Sequence, residues 1–206
     1  MDTTERGQFR SIEMDDLTTW ENHPMWNNEL SKNSYIFPVN IPASSAKAQG
    51  QALSDGIPAE EIYTVGHYIC AKSPQTHRAA FKHAVDFLVL DGTPIIATRA
   101  GTVFEIQEHS NSWGDDISFR DTLNYITLQH DNGEFTQYCH LAQYSCRDSN
   151  IRVGHKVRTG QCIGTVGKTG LTDRDHLHFI VFRGHRNESP FQFKSLRPQW
   201  SAFRKP

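Results

Sequence analysis

Tyr125-Ile126-Thr127-Leu128-Gln129-His130-Asp131-Asn132-Gly133-Glu134-Phe135-Thr136-Gln137-Tyr138 is the stretch whose reading decides the fold. Apolar and polar side chains alternate over its first five residues, the period of a strand with two unlike faces. Asn-Gly then supplies the left-handed backbone that a tight hairpin turn demands, and a second run rich in aromatic and β-branched residues follows. The segment therefore predicts two antiparallel strands joined by a turn. Upstream, Phe87-Leu88-Val89-Leu90 is an apolar run that stops at Asp91-Gly92, followed by Pro94-Ile95-Ile96-Ala97 and Gly101-Thr102-Val103-Phe104-Glu105-Ile106. Downstream, glycines at 154, 160, 164, 167 and 170 punctuate short apolar stretches. Short strands at this spacing predict a mainly β fold of antiparallel twisted sheets, an open barrel or sandwich. The polar run from Ser110 to Asn124 reads as a loop between two of the strands, and no helix-length amphipathic segment follows residue 70.

Residues 1–60 differ. They are polar, interrupted by Pro24, Pro38, Pro42 and Pro58, and carry the small-residue run Ala43-Ser44-Ser45-Ala46. This composition predicts an irregular extension with one short helix near Ala59-Glu60-Glu61. The expected division is thus an N-terminal extension, 1–60, that occludes or packs over a domain spanning 61–206. The first twenty residues lack an apolar core and do not read as a secretory signal. No run approaches eighteen apolar residues, so no membrane span is expected. Lys and Arg total 21 against 23 Asp and Glu, a net charge of −2, which gives nucleic-acid binding little electrostatic support. The four cysteines, Cys70, Cys139, Cys146 and Cys162, lack CxxC spacing, which argues for free thiols over a thiolate metal site.

Eleven histidines direct attention to metal and proton-transfer chemistry. In a strand, His176 and His178 of His176-Leu177-His178-Phe179 project from one face while Leu177 and Phe179 pack on the other. Asp86 interrupts the apolar run Ala84-Val85-Asp86-Phe87-Leu88, where a carboxylate is costly unless paired or coordinated. Two histidines and a carboxylate are a familiar set for a catalytic zinc ion with one position left open. Asp86 and His178 supply two ligands, and the third comes from His77 or His83. His83, three residues before Asp86, would face away along a continuous strand, which favours His77. His140, in Tyr138-Cys139-His140-Leu141, is expected on the same face as Tyr138 and is a candidate base.

Taken together, these motifs resemble the lysostaphin/LytM-type zinc endopeptidases. The resemblance runs from about residue 77 to 182. It rests on Asp86 with Asp91-Gly92-Thr93-Pro94-Ile95 and Gly101-Thr102-Val103, on Tyr138-Cys139-His140-Leu141, on Gly160-Gln161-Cys162-Ile163-Gly164, and on His176-Leu177-His178-Phe179. It implies that His77, Asp86 and His178 hold zinc, that His140 and His176 act beside the metal, and that the substrate is a peptide of bacterial cell-wall peptidoglycan. It also implies a periplasmic or extracellular place of work. In the commonest form of the family the first histidine stands four residues before the aspartate, where this chain has Lys82; His77 lies further upstream. For the tyrosine that stabilises the oxyanion in some members, Tyr63 and Tyr68 are the candidates. With no HExxH glutamate in the chain, a histidine must accept the proton of water.

Two other classes of function fit parts of the sequence. A non-catalytic wall-binding or regulatory module of the same family would have lost ligands, whereas a full candidate set is present here. A lipoyl-like carrier would explain the turns around Gly154 and Gly160, with Lys168 as the modified lysine, but leaves Asp86 and the His-x-His pair unused.

Overall fold

A computed structural model describes residues 30–74, 76–185 and 192–201. The first half of the N-terminal extension, with Pro24 and the stretch read for a secretory signal, lies outside the described residues. The strands in chain order are β1 (Leu30–Tyr35), β2 (Ile62–Val65), β3 (Tyr68–Ala71), β4 (Val85–Phe87), β5 (Pro94–Ile96), β6 (Gly101–Gln107) and β7 (Trp113–Gly114). They continue as β8 (Tyr125–Gln129), β9 (Phe135–Cys139), β10 (Lys156–Val157), β11 (Cys162–Thr165), β12 (Gly170–Leu171), β13 (Leu177–His185) and β14 (Gln192–Trp200). The large sheet runs β10-β6-β8-β9-β13-β4-β3-β2, with β14 paired to β13 and β1 to β14. It is mainly antiparallel and does not close into a barrel among the described residues. No described helix is long and apolar enough to cross a membrane.

The hairpin expected around Asn132-Gly133 is β8–β9, with Tyr125 opposite Cys139 and Gln129 opposite Phe135. Gly133 takes φ +77° in its turn, a conformation that costs a side-chain-bearing residue more than glycine. β13 lies at the middle of the sheet. β9 runs along one edge of it, and β4 and then β14 share the other. Alternation along β13 divides its side chains between two apolar clusters. Leu177, Phe179 and Val181 enter the main core with Phe87, Tyr138 and Ile126. Ile180 and Phe182 join Phe135 and Ala84 on the other face. His178 belongs to this second face, so the polar site grows at the end of a small apolar cluster rather than inside the main core.

The described part of the extension, residues 30–60, holds more regular structure than its composition suggests. Residues 43–53, read as irregular, form an eleven-residue helix, α1 (Ala43–Leu53), and only the short 3-10 turn Ala59–Glu61 falls where a helix was expected. α1 docks by small residues: Ala46 and Gly50 are its buried positions, and a Cβ on Gly50 would stand 2.6 Å from Ile69 Cβ. Likewise, the polar run 110–124 contains β7 and a 3-10 helix, Ile117–Thr122. The four cysteines are free, with Cys70, Cys139 and Cys146 buried.

β1 adds to the sheet in parallel with β14, and a buried carboxylate fastens it. Glu134, whose side chain has no exposed surface, accepts from Lys32 N–H (2.6 Å), Asn33 N–H (3.1 Å), the Tyr35 hydroxyl (2.8 Å) and the Arg183 guanidinium (3.2 Å). Burial alone would raise its pKa. Hydrogen bonding from Asn132, Lys32 N–H, Tyr35 and Asn33 N–H outweighs that and holds the carboxyl below its ordinary value of 4.5. A folded-state pKa that is depressed gives stability present above the unfolded value and lost as pH falls through the folded one. Glu134→Gln is therefore expected to destabilise the protein by about 2–3 kcal/mol at pH 7. The difference from the parent should shrink below about pH 4. Urea melts of both proteins at pH 7 and pH 3 check this; equal midpoints at pH 7 would remove Glu134 as the fastener.

Candidate metal centre and catalytic site

Asp86 sits in β4 with Val85 and Phe87 in the main core, so strand alternation turns its carboxylate to the opposite face. There the register sets it directly across from His178, and His178 Nδ1 lies 2.7 Å from Asp86 Oδ1. His77 enters from the loop before β4, with Nε2 3.0 Å from Asp86 Oδ2. The His77 and His178 rings pack edge to face, 5.2 Å between centroids. One ligand atom from each of His77, Asp86 and His178 lies within 4.8 Å of the others. A tetrahedral ion with bonds of about 2.0–2.2 Å separates its ligand atoms by roughly 3.4 Å.

The residues fit a metal on a separate ground. The His77 side chain is fully buried, yet neither ring nitrogen makes a hydrogen bond. Its Nε2 is close to the Asp86 carboxylate without hydrogen-bonding geometry. A buried imidazole nitrogen left unpaired costs about 1–3 kcal/mol, and a cation shared with Asp86 and His178 would relieve that cost at Nε2. Two imidazoles and a carboxylate leave one of four positions open, as catalytic zinc sites do. Burial works to raise the Asp86 pKa, but His77, His176 and His178 together hold it well below the carboxylate range. His178 is lowered by burial, which outweighs the pull of Asp86.

His140 and His176 converge on this cluster. Their rings are 4.4 Å apart, His140 is 6.1 Å from His178, and His176 Nε2 is 3.8 Å from Asp86 Oδ1. In each ring Nδ1 faces a main-chain carbonyl: Thr169 for His140, at 2.6 Å, and Arg174 for His176, at 3.1 Å. A carbonyl can only accept, so Nδ1 carries the proton and Nε2 keeps the lone pair. Burial, then the neighbouring His176 and His178, push the His140 pKa well below 6.5, which keeps the ring neutral at pH 7.

The route by which His140 arrives differs from the sequence expectation. Alternation would send it to the face of Tyr138, and Tyr138 is fully buried with its hydroxyl against Thr98. Instead β9 ends at Cys139, and His140 adopts φ +63°. That left-handed residue, strained for a side-chain-bearing position, swings the ring out of the core and toward His178. Two close contacts hold the bend. Gly167 N–H donates to His140 O (2.7 Å), and a Cβ on Gly167 would run into the Ala142 main-chain nitrogen. Thr169 Oγ1 donates to Leu141 O and accepts from Asn124 N–H, while the Asn124 amide reaches Ser110 O and Leu141 O. Thr169 and Asn124 were not singled out in the sequence; their positions follow from the bend, which no local pattern announces.

His83 lies elsewhere. Its main-chain N–H donates to Ser195 Oγ, and its pKa is lowered by burial and then by Lys82, Arg197, Lys72 and Lys194 around it. Of the two candidate tyrosines, Tyr68 is a core residue whose hydroxyl donates to Val39 O. Tyr63 is partly buried against the core. Its hydroxyl pKa is raised by burial, then by Cys70 and by Asp86.

Comparison with known proteins bears on the same region. The profile described as Peptidase family M23 matches residues 80–191. The peptidoglycan DD-endopeptidase ShyA of Vibrio cholerae is 32% identical over 112 residues, 54% of this chain and 23% of ShyA. Lysostaphin of Staphylococcus simulans is 32% identical over 97 residues, 47% of this chain and 17% of lysostaphin. The chain thus spans under a quarter of the length of these curated relatives. Among solved structures, the lysostaphin catalytic domain from the same organism is 33% identical, covering 53% of this chain and 73% of that one, at a TM-score of 0.39.

Proposed function

Starting from the chain's membership of peptidase family M23, whose profile matches more than half of its length, we propose that it is a zinc-dependent endopeptidase that cleaves peptide bonds in bacterial cell-wall peptidoglycan. His77, Asp86 and His178 are the zinc ligands, and His140 and His176 handle protons. The observation that carries this reading is the three-ligand cluster with two further imidazoles beside it, each tied by Nδ1 to a main-chain carbonyl. The peptidoglycan substrate rests on the name of the peptidoglycan DD-endopeptidase ShyA. An enzyme with that substrate works in the periplasm or outside the cell. The catalytic unit is residues 61–206, and residues 1–60 form an extension that partly covers the site. Supporting this, the carbonyls of Leu53, the last residue of α1, and of Asp55 accept from Arg174, two residues before His176.

When bound, the zinc ion would supply Lewis acidity toward water and the scissile carbonyl. The chain's own part is proton transfer and orientation. A neutral histidine with Nδ1–H anchored on a carbonyl offers Nε2 as acceptor for the proton of the attacking water. Once charged, that same Nε2–H is a donor, able to protonate the leaving amine. Its partner imidazole stands beside the developing oxyanion and can donate to it only in its doubly protonated form, through Nε2–H. The Thr169 and Arg174 carbonyls fix both rings before substrate arrives.

Metal analysis of protein purified without added metal, paired with digestion of purified peptidoglycan, tests the reading. One zinc per chain and release of soluble muropeptides are expected. His77→Ala should lose most of the metal, and His83→Ala should keep it. A metal-free protein that binds peptidoglycan without cutting it would be the non-catalytic module instead, and metal loss in His83→Ala alone would transfer the ligand role to His83.

A further inference from the structure

We propose that Arg174 is a positioning residue that ties the N-terminal helix to the histidine His176. The proposal rests on the catalytic reading of His176 and deepens it. His176 takes its orientation from two contacts at Nδ1, the Arg174 carbonyl at 3.1 Å and, more loosely, the Thr172 hydroxyl at 3.4 Å. That carbonyl is held on both sides. Thr172 Oγ1 donates to it at 2.8 Å and faces Arg174 N–H at 3.3 Å, closing a tight local loop. The Arg174 side chain then anchors the loop to another part of the chain. Nη1 donates to Leu53 O and to Asp55 O, each at 3.0 Å. Nε and Nη2 grip the two oxygens of Asp173, at 3.0 and 2.6 Å.

Four of the five guanidinium N–H groups are engaged in one plane, a geometry that leaves the backbone at 174 little freedom. Leu53 is the last residue of α1, where carbonyls lack helical partners and carry partial negative charge. A cation on such carbonyls forms charge-assisted hydrogen bonds. The Asp173 pair itself is too exposed, at 57% for the carboxylate side chain, to contribute much to stability; its effect is to fix the plane of the fork. α1 has other attachments, including Gly50 against Ile69 and Leu90 N–H to Gln49 Oε1 at 3.0 Å. Losing the Arg174 side chain should therefore leave the helix docked and free the loop that aims His176. In this arrangement the extension contributes to the site from outside: its end sets where Nε2 of His176 points.

The test uses the full chain with Arg174→Ala, Arg174→Lys and His176→Ala. Dye release from labelled peptidoglycan gives maximal rate and half-saturating concentration, metal content is measured on the same samples, and nitrogen NMR of the imidazoles reports the His176 tautomer without substrate. Arg174→Ala is expected to lower the maximal rate by about 10- to 100-fold, as small misplacements of catalytic groups do. Half-saturation, metal content and melting temperature should hold, and the single Nδ1–H tautomer of His176 should give way to a mixture. Arg174→Lys, which can reach one of the two carbonyls, should recover part of the rate. A full-rate Arg174→Ala beside an inactive His176→Ala overturns the tie alone. A full-rate His176→Ala overturns the catalytic reading and the tie with it. Should Arg174→Ala fail to fold, a folded Arg174→Lys with parental rate and tautomer overturns the tie equally.

Discussion

Asp86→Asn is expected to strip the metal and to cut peptidoglycan hydrolysis by more than about 100-fold, beyond what losing an outer hydrogen-bond partner of a metal ligand costs. Asparagine keeps the shape of the side chain, so Val85 and Phe87 still pack in the main core and the β4–β13 register survives. It can still accept from His178 Nδ1 through its amide oxygen. What it cannot supply is the negative charge that faces three imidazoles, nor a second oxygen toward His77. The bare carboxylate is buried and is kept ionised by His77, His176 and His178 against the pull of burial. A carboxylate whose folded pKa is depressed adds stability at neutral pH, and removing one partner from a buried charged set costs stability. The metal-free Asp86→Asn protein should therefore melt below the metal-free parent at pH 7, while the loaded parent, which gains stability from its ligand, melts highest. Metal content, melting temperature and peptidoglycan digestion on one preparation separate these effects. Stoichiometric metal in an active Asp86→Asn protein would remove Asp86 from the ligand set.

The parts of this molecule that could be read in advance are those where a local pattern has one physical outcome. Alternation plus Asn132-Gly133 specifies the β8–β9 hairpin, and a carboxylate inside Ala84–Leu88 signals pairing or coordination. His176, just ahead of β13, and His178 within it both reach Asp86, although the strand expected to carry both begins only at Leu177. The preference for His77 over His83 came from the facing argument and from the resemblance, and the two rings do occupy different surroundings. What could not be read depends on tertiary context. α1 carries two buried residues, both small, so its docking against Ile69 leaves no apolar stripe in the sequence. A positive φ at a histidine has no local signature, and alternation gave His140 the wrong face for that reason. Arg174 engages carbonyls about 120 residues away, a partnership that only the assembled fold creates.

His140→Ala and His176→Ala form the pair that separates holding the metal from using it. Neither ring belongs to the three-ligand cluster, so both variants should retain the metal and fold like the parent. Turnover should fall by about 10²–10⁴-fold in each, the range for loss of a positioned acid or base. The two losses should not add. If one imidazole takes the proton and the other steadies the charge that develops, removing either collapses the same transition state, and the double variant should fall little below the worse single one. His140 is the better base on the present geometry. It is the more enclosed, with its proton fixed on Nδ1 by Thr169 O at 2.6 Å. Burial, with His176 and His178 beside it, also disfavours its charged form, so its Nε2 lone pair is available at neutral pH. Glutamine at 140 would keep hydrogen-bonding capacity but cannot shuttle a proton at neutral pH, so His140→Gln should be no more active than His140→Ala. If His140→Gln instead turned over at the parental rate with metal bound, His140 would be a hydrogen-bond partner only, and the base would have to be His176.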